Sequence, residues 1–141
     1  MSLNFDKQNT MLLTYSPIIL EHFNQPRNVG FLDPQTHEVG TGRMGTLVSG
    51  DVIRLQVKIN GQQIIAEAKF KAQASVAIIA ACSWVTEWLL GKSLAAAAQL
   101  QSSDIVTALN LPPLKIHCAL LVADAVNAAI LDWQRKNIKN K

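Results

Sequence analysis

Residues 50–71 decide the fold, because they carry the clearest secondary-structure pattern of the chain, GDVIRLQVKINGQQIIAEAKFK. Apolar and polar side chains alternate over residues 52–59, which is typical of a strand with one face in the core. The apolar face is formed by Leu55, Val57 and Ile59, and the polar face by Arg54, Gln56 and Lys58. Asn60–Gly61 predicts a type I′ turn, and a partner strand follows over residues 63–71. This hairpin and the glycine-rich residues before it predict about three antiparallel strands.

Helices are predicted on both sides of these strands. Ser75 is a suitable N-cap for an apolar helix that ends at Gly91, where glycine favours the left-handed conformation. The polar residues of this helix form one narrow stripe, so we predict that it is the central buried helix. The stripe consists of Ser83, Thr86 and Glu87. Shorter helices begin at Ser16, Ser93 and Ser102, and a last helix runs from about residue 118 to residue 136.

Strands followed by helices indicate an α+β fold, in which the helices pack on one face of a small three-stranded antiparallel sheet. The 141 residues suffice for a single domain with its own core. We predict a flexible N-terminal segment over residues 1–14, one domain over residues 15–136 and a basic tail over residues 137–141.

The composition excludes several classes of protein. Apolar residues make up 49% and charged residues 16%, which argues against disorder. The longest apolar candidate, residues 76–90, is too short to span a bilayer, and the N-terminus lacks a secretory pattern. The net charge of +3 comes with no basic stripe or nucleic-acid motif. Two cysteines without a CxxC pair indicate a reducing compartment, so we predict a cytoplasmic protein that binds neither membrane nor nucleic acid.

Two short segments carry the side chains that are capable of metal binding or thiol chemistry. Ser49–Gly50–Asp51 lies at the turn before the alternating strand, and residues 115–118, with sequence Lys-Ile-His-Cys, lie where the last helix begins. The helix start and Lys115 favour a lowered pKa for the Cys118 thiol. Asp51, His117 and Cys118 together match a zinc-like ligand set with one open position, although such a histidine–cysteine pair is also common in a purely structural role.

The other cysteine and histidines are interpreted as structural. Cys82 lies inside the apolar central helix, where a free cysteine behaves as a small hydrophobic residue. His22 and His37 are interpreted as surface or packing residues.

With these residues in view, the chain resembles the IscU/NifU N-terminal family of iron–sulfur cluster scaffolds from about Tyr15 to Arg135. Five segments keep the family's order and spacing. They are HFNQPRNVG at 22–30, VGTGRMG at 39–45, GDVIRLQVKIN at 50–60, WVTEWLLGKSL at 84–94 and LPPLKIHC at 111–118.

The resemblance implies a small α+β protein that is not an enzyme and on which a [2Fe–2S] cluster is built. Its implied partners are a cysteine desulfurase, which supplies sulfur, and a specialised chaperone with its co-chaperone. The family's site aspartate falls on Asp51, its histidine on His117 and its third cysteine on Cys118. The chaperone segment falls on Leu111, Pro112, Pro113, Leu114 and Lys115, with Leu114 in place of the more usual valine.

Two cysteines of the family's site are replaced in this chain. The first would stand at Ser49 and the second at Ser75, where flanking glycines are replaced as well. Serine is a poor substitute, because cluster iron is held by thiolates. Cys82 lies seven residues beyond Ser75, roughly 10 Å along a helix, which is too far to take its place.

Three hypotheses follow from this degenerate site. In the first, the chain is a scaffold-like protein of iron–sulfur assembly that binds iron, zinc or a weakly held [2Fe–2S] cluster, or accepts sulfur on Cys118. In the second, it is an adaptor that docks desulfurase or chaperone without a cluster. Under either hypothesis we predict a monomer or weak homo-oligomer. The third, a thiol enzyme with Cys118 as nucleophile and His117 as base, ranks last, because no oxyanion-binding motif accompanies the pair.

Overall fold

The computed structural model of the chain describes residues 15–138. Its helices are α1 (Pro17–Asn24), α2 (Val76–Leu89), α3 (Leu94–Ala97), α4 (Ser102–Leu109) and α5 (Ile116–Ile138), and its strands are β1 (Val39–Gly45), β2 (Val52–Ile59) and β3 (Ile65–Gln73). A short 3₁₀ turn, Pro113–Lys115, precedes α5. The predicted α+β class and its antiparallel three-stranded sheet are confirmed.

The sheet brings two connecting segments of the chain to one of its ends. Its strands pair in the order β1, β2, β3, and all pairs are antiparallel. The register aligns Gly45 with Val52, and Val52 with Gln73. The loop from β1 to β2 and the connection from β3 to α2 therefore leave the sheet side by side.

Two glycines of β1 allow α5 to lie directly against the sheet. A Cβ atom on Gly40 would stand 2.1 Å from the carbonyl oxygen of Ala129, and one on Gly42 would stand 2.2 Å from that of Ala125. Any larger residue at either position would push the helix away. An apolar stripe of α5 is buried at Val122, Ala125, Val126 and Ala129, and Trp133 packs against the core.

Helix α2 is the central buried helix, as predicted, and its polar stripe is bound to α1. The Ser83 oxygen accepts a hydrogen bond from the Arg27 backbone N–H at 2.9 Å and lies 2.7 Å from His22 Nδ1. Thr86 donates to the Ser83 carbonyl at 2.8 Å and accepts from the Asn28 amide at 3.2 Å. We call these five residues the α1–α2 seam. His22 is thus a packing residue, only 4% exposed, whereas His37 is at the surface.

The turn between β2 and β3 differs from the prediction. A type I′ turn needs positive φ at Asn60 and Gly61, but the positive φ, 60°, falls on Gln63. The Asn60 side-chain oxygen accepts hydrogen bonds from the backbone N–H groups of Gln62 and Ile64, at 2.9 and 3.0 Å. This side-chain turn lengthens the loop, and β3 begins at Ile65.

The polar face of β2 is partly covered. Gln56 is fully buried, because its side-chain amide pairs with the backbone of Leu32, accepting at 2.8 Å and donating at 2.7 Å. It also donates to Thr41 at 3.0 Å. Alternation placed Gln56 on the correct face, but the segment that covers it carries no periodic pattern.

The ends of the domain differ slightly from the predicted ones. Helix α5 begins two residues before Cys118 and continues through Asn137 and Ile138, which were predicted to lie in the tail. The predicted flexible segment 1–14 and residues 139–141 lie outside the described residues.

The longest apolar helical stretch is not residues 76–90, as predicted, but the stretch that ends at Ile138. The continuous helical stretch Pro113–Ile138 is long and apolar enough to cross a bilayer by length and composition. In the fold its apolar side packs on β1, as expected for the core helix of a globular domain.

Candidate functional site

Four of the residues singled out in the sequence lie near one another at one end of the sheet. Asp51 lies in the β1–β2 loop, Ser75 at the start of α2, and His117 and Cys118 in the first turn of α5. The Cys118 sulfur lies 3.6 Å from His117 Nε2, and the Ser75 side chain is near enough to lower the pKa of the Cys118 thiol. Asp51 is near enough for its carboxylate to influence the Cys118 thiol. We call this group the candidate site.

The β1–β2 loop holds Asp51 through Ser49. The Ser49 hydroxyl donates to Asp51 Oδ2 at 2.8 Å and also contacts the Thr46 hydroxyl. Gly50 adopts a φ of 76°, which favours glycine and closes the loop so that its N–H bonds the Thr46 carbonyl at 2.9 Å. Ser49 therefore supports the aspartate in a position where the family's pattern has a cysteine.

The Ser75 side chain lies near the Cys118 thiol and does not cap its own helix. Ser75 has the extended backbone of an N-cap, with φ −68° and ψ 166°, but its hydroxyl makes no capping hydrogen bond. Ser49 thus has a hydrogen-bond partner in Asp51, and Ser75 lies close to Cys118.

The Cys118 thiol is buried, contrary to the accessible, acidic thiol expected from the sequence. It is the third residue of α5 and is 1% exposed. Burial raises the pKa of Cys118 above its ordinary value, and the nearby Asp51 carboxylate adds to this, while Lys115 and Ser75 act in the opposite direction. Lys115 was correctly identified as favourable, but desolvation outweighs its effect on the pKa.

The ligand set fits a single ion better than a two-iron cluster. One thiol, one imidazole and one carboxylate are the donor types of a three-ligand zinc site. A [2Fe–2S] cluster needs four ligands, most of them thiolates, and the serines supply hydroxyls only. Cys82 is fully buried inside α2, as predicted, and burial raises the pKa of its thiol.

The site groups are not gathered around one point. Within residues 15–138, no three His, Cys, Asp or Glu side chains are close enough together to hold one metal ion. The ligand role of Asp51, His117 and Cys118 therefore stays a prediction, and it requires a movement of the exposed loop or of the exposed His117 side chain.

The predicted partner segment, Leu111–Lys115, is divided between core and surface. Leu111 is buried, whereas Leu114 is 86% exposed on the 3₁₀ turn that leads into α5. Sequence reasoning missed two further exposed apolar residues beside the candidate site, Leu47 and Val48, whose side chains are fully exposed in the β1–β2 loop. The presence of two adjacent apolar residues in a glycine-flanked turn could have indicated this exposed apolar surface.

Comparison with known proteins agrees with this architecture. A family model described as the NifU-like N terminal domain matches residues 14–140. The chain belongs to the NifU-like N-terminal domain family. It is 43% identical over 129 residues to the iron–sulfur cluster assembly scaffold protein IscU of Rickettsia prowazekii (strain Madrid E), covering 92% of this chain and 98% of the relative. It is 45% identical over 124 residues to IscU of Azotobacter vinelandii, covering 88% and 97%.

A solved structure supports the fold of this family member independently. The N-terminal NifU-like protein from Brucella abortus superimposes with a TM-score of 0.64, covering 86% of this chain and 94% of the other. Its sequence identity is 16%, so the likeness concerns the fold alone. The family membership suggested by the five sequence segments is confirmed.

Proposed function

We propose that this family member acts in iron–sulfur cluster assembly as a scaffold-type protein whose cargo site contains a single cysteine. The observation that carries the proposal is the convergence of Asp51, Ser75, His117 and Cys118 at one end of the sheet, in a chain that matches IscU proteins over most of its length. We place it in the reducing cytoplasm, as a binding protein without catalytic turnover.

In this proposal Cys118 is the group that receives sulfur or binds a metal ion. As a thiolate it attacks the outer sulfur of a donor persulfide, forms a new persulfide on Cys118 and releases the donor thiolate. Asp51 and His117 contribute an oxygen and a nitrogen ligand to iron or zinc held as cargo. Because Cys118 is buried, the residues that cover it have to open before sulfur arrives.

The proposed partners are a cysteine desulfurase and a specialised chaperone with its co-chaperone. Support for the chaperone comes from the exposed Leu114, which follows two prolines at the surface. An exposed apolar side chain on a short turn is available to an apolar groove of a partner protein.

An adaptor that binds these partners without cargo is the second candidate. It is favoured by the Ser49 hydroxyl, which already has a partner in Asp51, by the closeness of Ser75 to Cys118 and by the burial of the thiol. A site closed in this way is complete without iron.

Anaerobic reconstitution with iron, cysteine and a cysteine desulfurase separates the two candidates. A scaffold with a single-cysteine site gains iron or persulfide on the wild-type chain, whereas an adaptor gains neither but still binds the desulfurase. The double substitution Ser49→Cys and Ser75→Cys should restore a visible-range cluster spectrum, because it supplies the two missing thiolates.

The matched control adds Cys118→Ser to that double variant, which should abolish the spectrum. A double variant that folds normally and stays colourless would argue that the end of the sheet is not a cargo site.

A further inference from the structure

Three cations lie side by side across the outer face of the sheet, the face opposite α5. The register pairs Arg43 of β1 with Arg54 of β2, and Arg54 with Lys71 of β3. All three side chains line one surface cavity of about 290 Å³. We call them the basic row. Arg43 and Lys71 are exposed, and Arg54 is half-buried.

The basic row has no counter-charge in the described part of the chain. Within residues 15–138, none of its members forms an ion pair, and the residues that line the cavity include no Asp or Glu. Arg54 donates one hydrogen bond, to the Gly30 carbonyl at 2.9 Å, and its buried Nε has no hydrogen-bond partner among the described residues. Like charges directly opposite each other on neighbouring strands destabilise a sheet. An anionic partner would remove that destabilisation.

Apolar side chains border the basic row. Val52 is 55% exposed and also lines the cavity. Phe31 is 61% exposed, and the Arg54 guanidinium carbon lies 4.9 Å from the centre of its ring. Arginine and aromatic residues are enriched in protein–protein interfaces, whereas a small inorganic anion would make no use of this apolar border.

The basic row also lies near the candidate site. Arg43 stands two residues before the end of β1, and Lys71 stands four residues before Ser75. A partner seated on this face would reach the same end of the sheet as the β1–β2 loop.

We propose that the basic row is a docking surface for an acidic segment of a partner protein. Carboxylates of that segment face Arg43, Arg54 and Lys71, and one of its apolar side chains packs on Val52 and Phe31. This docking is independent of cargo, so it can operate in a scaffold or in an adaptor.

The test uses the full chain and a fluorescently labelled peptide with the sequence Glu-Leu-Glu-Glu-Leu-Glu, followed by fluorescence anisotropy at low ionic strength. The double variant Arg43→Gln and Lys71→Gln should bind about three- to tenfold more weakly, since two exposed charge pairs are lost. Both residues are exposed, so the fold should survive, and a urea titration checks this. High salt should weaken the wild-type complex in the same direction.

The matched control is Lys58→Gln. Lys58 lies on the same face of β2 but pairs with Glu67 at 3.6 Å, at the other end of the sheet. This substitution should leave peptide binding unchanged.

Two results would overturn the proposal. One is peptide binding that the double variant does not weaken. The other is competition by pyrophosphate or by short single-stranded DNA that exceeds competition by the unlabelled peptide, which would assign the row to a phosphate ligand. Because the assay contains neither iron nor sulfur, its outcome is independent of the reconstitution experiment.

Discussion

The α1–α2 seam and the candidate site each place a serine beside an ionisable group, but in opposite settings. In the seam, Ser83 is fully buried and bonded to both His22 and Arg27. At the candidate site, Ser49 is exposed and Ser75 is half-buried, and their neighbours belong to a loop and a helix start. The seam holds two helices together through buried polar contacts. Because Ser49 and His117 are exposed, we expect the candidate site to open at a lower free-energy cost than the seam.

The largest expected contrast concerns the two buried cysteines. Cys82 lies in the middle of α2, so a thiol reagent reaches it only after global unfolding, whereas Cys118 needs only an opening at the end of the sheet. We expect Cys118 in the native protein to react at least about a hundredfold faster than Cys82. Mass spectrometry after timed alkylation measures both rates, with Cys82→Ala and Cys118→Ala as assignment controls. Equal rates would show that the candidate site is as firmly closed as the core.

The next largest effect compares serine substitutions in the two regions. Ser83→Ala leaves His22 Nδ1 and the Arg27 N–H without their partner, so it should lower the free energy of unfolding by about 2–3 kcal/mol. Ser49→Ala, its matched control at the surface, should change it by less than about 0.5 kcal/mol. Urea unfolding measures both. Similar losses for the two variants would contradict the division between a structural seam and an adaptable site.

The smallest expected effect is a pH dependence that arises in the seam. Burial, and then the nearby Arg27, lower the pKa of His22 below its ordinary value of 6.5, although Glu87 and Glu21 act in the opposite direction. The unfolded chain therefore takes up a proton at His22 at a higher pH than the folded chain does. The contribution of neutral His22 to the free energy of unfolding is therefore complete above pH 6.5, and it is lost as the pH falls towards the lowered pKa of His22 in the folded state.

The variant His22→Asn tests this assignment, because an amide oxygen can replace Nδ1 as acceptor for Ser83 but does not titrate. Urea midpoints measured on both sides of pH 6.5 should fall less in His22→Asn than in the wild type. An equal fall in both proteins would place the titrating group elsewhere.

Much of the fold could be predicted because the relevant signals are local. Alternation along β2, the Ser75 and Gly91 boundaries of α2 and the core stripe of α5 each depend on neighbouring residues. The turn after β2 could not be predicted from Asn60–Gly61. The Asn60 side chain accepts hydrogen bonds from the backbone of the loop, and these replace the backbone pattern of a type I′ turn. The burial of Gln56 could not be predicted for a different reason, since a distant segment covers its side chain.

The residues of the candidate site could be proposed from the sequence, but the protonation and accessibility of their side chains could not. Asp51, His117 and Cys118 could be named from residue types and from the family pattern. Their protonation and accessibility could not, because burial of Cys118 depends on how α2, α5 and the β1–β2 loop pack together. The basic row escaped detection because Arg43, Arg54 and Lys71 are far apart in the chain and become neighbours only through strand register.

The sequence by itself determined the family and the order of strands and helices, because motifs and periodicity are written along the chain. Only the tertiary structure decided that the remaining thiol is buried, that His22 is held within a helix seam and that three cations share one cavity. The physical reason is that desolvation and charge proximity depend on distances between segments, which the pairing and packing of the sheet and helices set.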